Sequence, residues 1–370
     1  MADNRYWQAE LEEYIRQGEP STKEKSFAWK TAIGLQQVDG LNTSAYLLDT
    51  AKEHIEGKIS IHEAQKRIHN YYKAQSKRAE LEERTEEADI VAARITELLG
   101  EKTFQFSPVF WQSIHRRLFE GIYAHAGRFR DYNITKNEWV LKGDTVVYAS
   151  ADSIMDTLDY DFRVEKEYSY AGKTAKELIA HLAKFTAGIW QIHPFAEGNT
   201  RATAVFIIKY LQSFGFSIDN EAFEKNSWYF RNALVRANYN DLQHGVHETT
   251  FYLEQFFSNL LLGMDYELKN RRLHLEWQDE NAPKCQNKVQ SATKIVLKCQ
   301  NDTLAGTLEL TMEELAILKI IKKAPTITQA ELVGITGQSL RTIKRLMAAM
   351  QAKGCIARQG GKRFGYWQIL

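Results

Sequence analysis

Proline placement is the sequence feature that most restricts the fold of this chain. Of its five prolines, only Pro194 lies between Pro108 and Pro283, so almost half of the 370 residues contain a single proline. Proline breaks helices because it lacks a backbone N–H and its ring clashes with the preceding turn. Its scarcity here, together with apolar residues that recur at helical spacing, predicts long uninterrupted helices and a mainly α fold.

Composition excludes several classes of protein. Hydrophobic residues make up 44% of the chain and charged residues 26%, which is typical of a folded rather than a disordered protein. No apolar run approaches the ~18 residues of a membrane-spanning helix, and the first residues lack the apolar core of a signal peptide. The three scattered cysteines do not suggest a disulfide framework or a zinc cluster. We therefore expect a cytoplasmic protein without a membrane partner.

Length and local composition divide the chain into several units, because 370 residues exceed the ~100–200 residues of an ordinary domain. Short Asp-Gly and Glu-Gly breaks separate three helical runs near the N-terminus, and a polar stretch around Pro283 interrupts the helical pattern late in the chain. The predicted units are a small N-terminal helical domain at 1–75, a charged linker helix at 76–106, a helical core domain at 107–278, a connector with one strand at 279–308, and a basic helical domain at 309–370.

The C-terminal unit carries a strong positive charge. Residues 311–370 contain ten Lys and Arg residues against three acidic ones, a net charge of +7, so the rest of the chain carries −6. Three helical patterns, at 312–323, 328–335 and 340–353, are followed by a two-strand pattern around a Gly-Gly turn. This order resembles a winged helix-turn-helix, in which the third helix enters the DNA major groove and the basic wing contacts phosphate.

The third helix of this unit has two expected faces. Arg341, Thr342 and Arg345 would point outward, where they suit DNA. Winged helices also dock proteins, so DNA and a protein partner both remain candidates. The predicted buried stripe of this helix consists of Leu340, Ile343, Leu346, Met347 and Met350.

A β-hairpin is predicted at residues 133–148. Two apolar runs of β-forming residues, Trp139–Leu141 and 145–148, flank a Gly-Asp turn at 143–144. The pattern alone is equally compatible with a surface hairpin that has no functional role.

The segment with the clearest chemistry is residues 193–201, His-Pro-Phe-Ala-Glu-Gly-Asn-Thr-Arg, which lies between two apolar helical runs. The start of a helix presents unpaired N–H groups to an anion, and Gly198 would let the backbone approach that anion closely. Glu197 could hold Mg²⁺ together with phosphate oxygens, and Arg201 could bind a phosphate through its forked donors. His193 has a pKa suited to general-base work. The set indicates phosphoryl or nucleotidyl transfer; the alternative is a surface histidine beside an ordinary helix start.

These residues resemble the motif of the Fic family, His-Pro-Phe-x-(Asp/Glu)-Gly-Asn-Gly-Arg-x-x-Arg. Upstream, residues 115–134 resemble the first core helix of that family and the lead into its flap. Residues 228–238 resemble the helix that lines its base pocket. The resemblance spans roughly residues 107–262 and implies a Fic-type helical core.

The resemblance implies transfer of AMP, or a related nucleotide fragment, from ATP or another nucleotide to a Ser, Thr or Tyr hydroxyl of a protein target. By this resemblance, His193 is the general base and Glu197 holds Mg²⁺ between the α- and β-phosphates. The amides of Gly198 and Asn199 hold phosphate oxygens, and Arg201 binds the β-phosphate.

The same resemblance assigns the remaining site residues. Phe230 and Asn238 are implied to line the base pocket. The hairpin residues 135–148, called the flap segment below, are implied to pair with an extended stretch of the target by β-augmentation.

Two residues depart from the family motif. Thr200 stands where the motif has Gly, so a side chain either narrows the phosphate site or adds a hydroxyl to it. Ala204 stands where the motif has its second arginine, which in the family holds the γ-phosphate and pairs with an inhibitory glutamate. Its absence removes a charge-assisted contact of ~1.5–3 kcal/mol, so the donor could be ATP in an altered pose or a diphosphate-type nucleotide.

The N-terminal unit resembles the antitoxin-like inhibitory domain of the family, whose motif is (Ser/Thr)-x-x-x-Glu-(Gly/Asn). Its best match is residues 35–40, in which Leu replaces the hydroxyl residue and Asp39 replaces the glutamate; a weaker match ends at Glu56-Gly57. Because Ala204 removes the arginine partner, we expect Asp39 to lack an ion pair and autoinhibition through it to be lost.

Other functions stay open at this point. The chain could be a DNA-binding regulator whose Fic core senses nucleotide and turns over weakly. Phosphotransfer with an inverted donor, as in Doc-like relatives, would require Lys at position 200, and Thr200 argues against it. The protein target and the oligomeric state, including a homodimer, are not decided by the sequence.

Overall fold

The structure is a computed structural model that describes residues 20–74, 80–216, 221–277, 309–361 and 365–370. The predicted connector at 279–308, with its expected strand, lies outside these residues. No helix in the described ranges is long and apolar enough to cross a bilayer.

The described part of the chain is mainly helical, which confirms the predicted fold class. In chain order the helices are α1 Pro20–Gly34, α2 Ala45–Ile55, α3 Ile61–Lys73, α4 Glu80–Gly100, α5 Pro108–Phe119, α6 Ile154–Glu167, α7 Ala175–Ile192, α8 Asn199–Ser213, α9 Glu221–Ala237, α10 Phe251–Leu262, α11 Met312–Lys323, α12 Gln329–Thr336 and α13 Leu340–Ala352.

Short strands and 3₁₀ turns complete the described structure. Strands β1 and β2 pair in antiparallel fashion, as do β3 and β4. The strands are β1 Lys173–Thr174, β2 Glu309–Leu310, β3 Ile356–Gln359 and β4 Tyr366–Ile369, and the 3₁₀ turns are Leu35–Asp39, Trp139–Leu141, Ala151–Ser153, Leu242–His244 and Asn270–Leu273.

Side-chain caps explain where several helices begin. The hydroxyls of Ser44, Ser60 and Ser107 each accept a hydrogen bond from the backbone N–H three residues later. Thr174 and Glu177 form a reciprocal capping box at the start of α7. Each cap satisfies N–H groups that the first helical turn leaves without a partner.

Helix α4 lies at the centre of the packing. Helices α1, α3, α5 and α8 all contact it, and its Val91, Ala92 and Ile95 are fully buried. The charged helix expected as a linker therefore contributes to the core over its described residues, because the C-terminal half of α4 carries an apolar face.

The N-terminal helices pack directly on the core. Helix α1 contacts α4 and α9, and the 3₁₀ turn Leu35–Asp39 contacts α8 and α9. Gly34 permits this close approach, because a Cβ at that position would lie 2.4 Å from the Cα of Glu224. The packing brings the candidate inhibitory segment against α8, the helix that follows Glu197.

The predicted hairpin at 133–148 does not form a strand ladder. Its centre is the 3₁₀ turn Trp139–Leu141, and the backbone of Glu138 donates to the carbonyl of Asp144 at 2.9 Å. Val140 and Leu141 are consecutive in the chain and both buried, whereas the alternation of a strand would place only one of them inside. The flap segment is therefore an irregular loop anchored by adjacent apolar side chains.

The C-terminal unit has the predicted order of three helices followed by two strands, and the short strand β2 precedes them. It joins the core through the β1–β2 pair, in which Lys173 lies opposite Leu310, and through Lys319, whose Nζ donates to the carbonyl of Leu260 at 2.7 Å. Leu340 is 44% exposed, so its predicted place in the buried stripe is wrong. As the first residue of α13, it precedes the turn that packs on α11 and α12.

Candidate active site

Residues 193–198, the motif loop, connect α7 to α8. Helix α7 is buried along most of its length and ends at Ile192. The next residue, His193, has a φ of 49°, which puts it in the left-handed region. That conformation costs a non-glycine residue about 1–3 kcal/mol and persists only where the surroundings hold it. The motif loop is thus a tight reversal that directs α8 back across the core.

His193 is held as a neutral imidazole. It is 3% exposed, and its ring packs against Tyr148 and Trp190. Burial, followed by the nearby charges of Lys136, Arg231 and Arg130, keeps the pKa of His193 well below its ordinary value. A neutral ring is the form that can accept a proton at neutral pH.

The tautomer of His193 follows from the one described hydrogen bond of its ring. The Nδ1 atom lies 3.3 Å from the carbonyl oxygen of Trp190, and a carbonyl can only accept. Nδ1 therefore carries the hydrogen, and Nε2 is left as the basic atom.

The start of α8 has the features of an anion site. Gly198 is its N-cap, with φ of 74°, and no side chain caps the helix. The first backbone N–H groups are consequently free of intrahelical partners and point toward the motif loop. A Cβ at Gly198 would lie 2.4 Å from Cε2 of Phe119, so only glycine fits at this position.

The side chains of Asn199 and Thr200 are directed inward. Asn199 exchanges two hydrogen bonds with the backbone of Phe195, at 2.7 and 3.0 Å, and so closes the motif loop. The Thr200 hydroxyl accepts from Trp190 Nε1 at 3.0 Å. The two roles expected for the Thr200 side chain, narrowing the phosphate site or adding a hydroxyl to it, stay predictions. Both residues can offer phosphate their backbone amides.

Glu197 is the exposed member of the motif, with 58% of its side chain accessible, and Lys136 of the flap segment lies 3.2 Å from its Oε2. The described residues contain no cluster of three or more His, Cys, Asp or Glu side chains that could hold a metal. One carboxylate fits Mg²⁺ only when nucleotide phosphates and water provide the other ligands. Glu197 provides the one carboxylate of that arrangement.

Arg201 is the most heavily engaged residue of the motif. It is 1% exposed and lies 2.7 Å from Asp39 Oδ2 and 2.6 Å from Glu87 Oε1. It also donates to Gln36 Oε1 at 3.2 Å and to the Tyr123 hydroxyl at 3.0 Å. Burial alone would lower the pKa of Arg201, but the nearby carboxylates raise it overall. The guanidinium is therefore fully charged and surrounded by protein acceptors.

The Arg201 contacts correct the expectation that Asp39 lacks an ion pair. Asp39 pairs with the first arginine of the motif, although Ala204 has replaced the second, because the turn Leu35–Asp39 packs onto α8. The weaker candidate, Glu56, instead forms a surface pair with Lys58 at 2.5 Å. Of these two candidates, Asp39 is thus the one that reaches the site.

Sequence reasoning missed Glu87 as a partner of Arg201. Glu87 lies on α4 in a run of charged residues, and only the packing of α4 against α8 brings it to Arg201. No local pattern distinguishes it from the neighbouring glutamates, so the sequence contained no signal for its position.

Phe230 lies inside the helical core, and Asn238 lies half-buried just after the end of α9. The Phe230 ring is fully buried among Phe223, Phe256 and Phe257. The Asn238 amide donates to the carbonyls of Ala187 and Leu234, both at 3.0 Å. These contacts stabilise the packing of α9 on α7 and α10. The roles of Phe230 and Asn238 in lining a base pocket stay predictions.

His115 packs against the motif loop and forms a hydrogen bond to its backbone. Its Nε2 lies 2.9 Å from the carbonyl of Glu197, its Nδ1 accepts from the backbone of Gly127 at 2.9 Å, and its ring stacks on Phe195 with centroids 3.7 Å apart. Burial lowers the pKa of His115 to about 4. The ring is therefore neutral, with its hydrogen on Nε2, and it fixes the backbone just before Gly198.

Comparison with known proteins describes the same region independently. Residues 105–211 match the model of the Fic/DOC family. The chain carries a Fic/DOC domain. This domain includes α5 to α7, the motif loop and most of α8, and it confirms the resemblance inferred from the motif. Residues 314–357 match a model described as a winged helix-turn-helix DNA-binding unit.

Two relatives are similar over part of the chain. A probable protein adenylyltransferase of Sinorhizobium fredii is 27% identical over 152 residues, which are 40% of this chain and 73% of that protein. A protein adenylyltransferase of Bartonella schoenbuchensis is 27% identical over 114 residues, which are 31% of this chain and 23% of that protein. The chain thus spans less than a quarter of the second relative.

A solved structure matches almost the whole chain at low identity. The match to a Fic family protein from Desulfovibrio desulfuricans G20 covers 99% of this chain and 95% of that protein, with 11% identity and a TM-score of 0.44.

Proposed function

We propose that this protein transfers AMP from ATP to a hydroxyl group of a protein target. The observation that carries the proposal is the position of a neutral His193 at the end of α7, directly before the uncapped start of α8. A base and an anion site at the two ends of one short loop suit attack on a phosphate. The names of the two relatives, both protein adenylyltransferases, support this reaction.

The chemistry assigns each residue of the site one task. Nε2 of His193 takes the proton of the target hydroxyl while that oxygen attacks the α-phosphorus in line. The bond from the α-phosphorus to the bridging oxygen of the β-phosphate breaks, and pyrophosphate leaves. The free amides at the start of α8 stabilise the charge that develops on the α-phosphate oxygens.

Glu197 would hold Mg²⁺, which supplies positive charge to the phosphates when it is bound. In the described state Lys136 lies beside the Glu197 carboxylate. Metal binding would therefore require the Lys136 side chain to move away, or to turn toward a phosphate oxygen.

The described state is proposed to be autoinhibited. Asp39 and Glu87 occupy the guanidinium of Arg201, the one motif arginine that could bind the β-phosphate. A nucleotide must displace at least Asp39 to reach it. This assigns Asp39 an inhibitory role even though Ala204 cannot provide the family's second arginine.

The donor is proposed to be bound without a γ-phosphate clamp. Ala204 is fully buried in α8 and offers no donor to a terminal phosphate. ATP and a diphosphate-type nucleotide would then differ little in affinity.

Labelled ATP distinguishes AMP transfer from phosphate transfer. The purified chain is incubated with a cell lysate as acceptor and with ATP labelled at either the α- or the γ-phosphate. We expect protein-bound label from α-labelled ATP alone, and no label with His193→Ala. Label from γ-labelled ATP would overturn the proposal in favour of phosphotransfer. A variant outside the site, Lys58→Ala, serves as the matched control.

A second candidate function is DNA binding by the C-terminal unit. Arg341, Lys344 and Arg345 are exposed on one side of α13, and the winged helix-turn-helix match covers most of that helix. This exposed basic face favours a nucleic-acid partner, since phosphate contacts dominate affinity for DNA.

A mobility shift with duplex DNA at two salt concentrations tests this candidate. Replacing Arg341 and Arg345 by Ala should weaken binding and reduce the salt slope by roughly 1 for each phosphate that the protein no longer neutralises. Lys322→Ala, on the helix that packs against α10, is the control. Equal binding by all three proteins would argue against DNA contact through α13.

A further inference from the structure

A buried arginine outside the motif joins the flap segment to the motif loop. Arg130 is 5% exposed. Its Nε donates to the carbonyl of His193 at 2.8 Å, and its Nη2 donates to that of Ile192 at 3.2 Å. Its Nη1 donates to the carbonyl of Tyr132 at 2.7 Å, and its Nη2 donates also to that of Ala149. All four acceptors are main-chain carbonyls.

These four carbonyls belong to three different stretches of chain. Ile192 and His193 end α7, whose last carbonyls have no intrahelical partner. Tyr132 and Ala149 lie just before and just after the flap segment. A guanidinium has five N–H donors in one plane, so a single side chain can hold both ends of the flap segment to the end of α7. The backbone N–H of Arg130 adds a bond to the carbonyl of Pro194 at 2.8 Å.

The bond to His193 acts at a residue whose backbone conformation is strained. His193 has a positive φ of 49°, a conformation that relaxes unless its neighbours hold it. By fixing the His193 carbonyl, Arg130 restricts rotation of the peptide that follows it. The imidazole can then keep one orientation relative to the start of α8.

We propose that Arg130 is a positioning residue, which sets the distance between a target segment held at the flap and Nε2 of His193. The proposal rests on the proposed AMP transfer. Arg130 acts through the carbonyls at the ends of the flap segment and of α7, whereas the phosphate-binding amides lie at the start of α8. Its loss should disturb the placement of the attacking hydroxyl more than the binding of nucleotide.

Lysine provides the sharpest substitution at this position. Arg130→Lys keeps the positive charge but cannot place donors on four carbonyls in one plane. Arg130→Met removes the charge as well. Arg128→Lys is the matched control, because Arg128 lies two residues away in the same stretch and is exposed.

Hydrogen exchange of the full chain tests the positioning role without any need for activity. We expect Arg130→Lys to speed exchange by about tenfold or more in peptides that cover 135–149 and 193–198. Peptides from the middle of α7 and from α4 should be unchanged. Unchanged exchange in the flap segment, or faster exchange throughout the chain, would overturn the proposal.

Kinetics then separate positioning from simple stabilisation. In an Asp39→Gly background, Arg130→Lys should lower kcat for AMP transfer on the order of 10- to 100-fold and leave the KM for ATP within about twofold. An increase in the KM for ATP as large as the fall in kcat, or an unchanged kcat, would contradict the role. If no variant transfers AMP, the proposed function fails, and the exchange experiment still decides whether Arg130 holds the flap segment to the motif loop.

The pH dependence of kcat for AMP transfer provides a further control, through its acid limb. The charged groups that act on His193 are Lys136 of the flap segment, Arg231 of α9 and Arg130 itself. Arg130→Met should move the acid limb to higher pH, because one cation no longer opposes protonation of the ring. Arg130→Lys should leave it in place. A shift of equal size in both variants would show that the charge of Arg130 does not act on His193.

Discussion

Arg201 carries one positive charge and faces two carboxylates, from Asp39 and Glu87. The three groups come from α8, the 3₁₀ turn after α1, and α4. A buried guanidinium needs a compensating charge, because an unpaired charge in the protein interior costs several kcal/mol. The two carboxylates compensate Arg201 in the absence of nucleotide, and phosphate would take over that role when nucleotide binds.

Removing one carboxylate should favour nucleotide. Asp39→Asn leaves Arg201 paired with Glu87 but removes one of the two carboxylates that compete with phosphate for its guanidinium. We therefore expect ATP to bind about 10- to 100-fold more tightly. Titration calorimetry with ATP and ADP measures the effect. Glu53→Gln, on the surface of α2, is the control and should bind as the parent protein does. Unchanged affinity in Asp39→Asn would mean that Asp39 does not compete with phosphate.

Residue-level prediction from the sequence succeeds where a motif is local. The motif at 193–201 and the candidate Asp39 are both recognisable in short stretches of sequence, and both lie at the site. The predicted absence of a partner for Asp39 is wrong, because the prediction considers only the motif arginine missing at position 204. Glu87 reaches the site through tertiary packing, which no local pattern records.

The flap segment shows how an element can be positioned without regular secondary structure. The Glu138 carboxylate is fully buried and forms two bonds to the Arg231 guanidinium, at 2.7 and 3.2 Å. Tyr148 OH donates to the same carboxylate at 3.3 Å. The bonds to Arg231 tie the flap segment to α9, in addition to the contacts that Arg130 makes at its two ends.

Neutralising the Glu138 carboxylate should loosen the flap segment. Glu138→Gln leaves Arg231 without its carboxylate in a mostly buried site, so we expect the free energy of unfolding to fall by about 2–4 kcal/mol. Urea denaturation measures the change. Glu276→Gln, which breaks the exposed pair with Lys142, should produce no measurable change. Equal effects from both variants would show that the Glu138 pair does not hold the flap segment.

Element-level prediction is accurate for helices and fails for the flap segment. Apolar residues at helical spacing and the scarcity of proline predict the long helices, and the structure shows the serine and threonine caps that begin α2, α3, α5 and α7. In the flap segment the runs of β-forming residues favour strands. The structure buries Val140 and Leu141 side by side, so the apolar contacts override the strand preference.

At the scale of the whole molecule, the N-terminal and C-terminal units both pack on the helical core. The turn Leu35–Asp39 contacts α8 and α9, and α11 of the C-terminal unit contacts α10. The sequence predicts the units but not their packing, because the residues at these contacts are ordinary apolar and charged side chains. The proposed inhibition depends on this packing, since Asp39 reaches Arg201 through it.

The stability of the whole molecule should depend on pH through buried histidines. Burial lowers the pKa of His54 and of His115 to about 4, whereas an unfolded chain protonates histidine near ~6.5. The unfolded state therefore binds more protons between these values, and the free energy of unfolding falls as the pH drops from about 6.5 to about 4. The stability from these two residues is fully present above pH ~6.5.

Urea denaturation at several pH values checks this dependence. Each histidine should contribute on the order of 3 kcal/mol across the window. His62→Gln, an exposed site on α3, should leave the slope unchanged. A free energy of unfolding that stays constant from pH 6.5 to pH 4 would mean that the buried histidines are protonated in the folded state.

The most direct test of the central claim is the rate of AMP incorporation from α-labelled ATP by Asp39→Gly beside the parent chain, each with and without His193→Ala. We expect release of Arg201 to raise the rate by about tenfold or more, and the loss of His193 to abolish label in both backgrounds. Equal rates for Asp39→Gly and the parent chain, or label that survives His193→Ala, would contradict an enzyme whose base is His193 and whose phosphate site is held closed by Asp39.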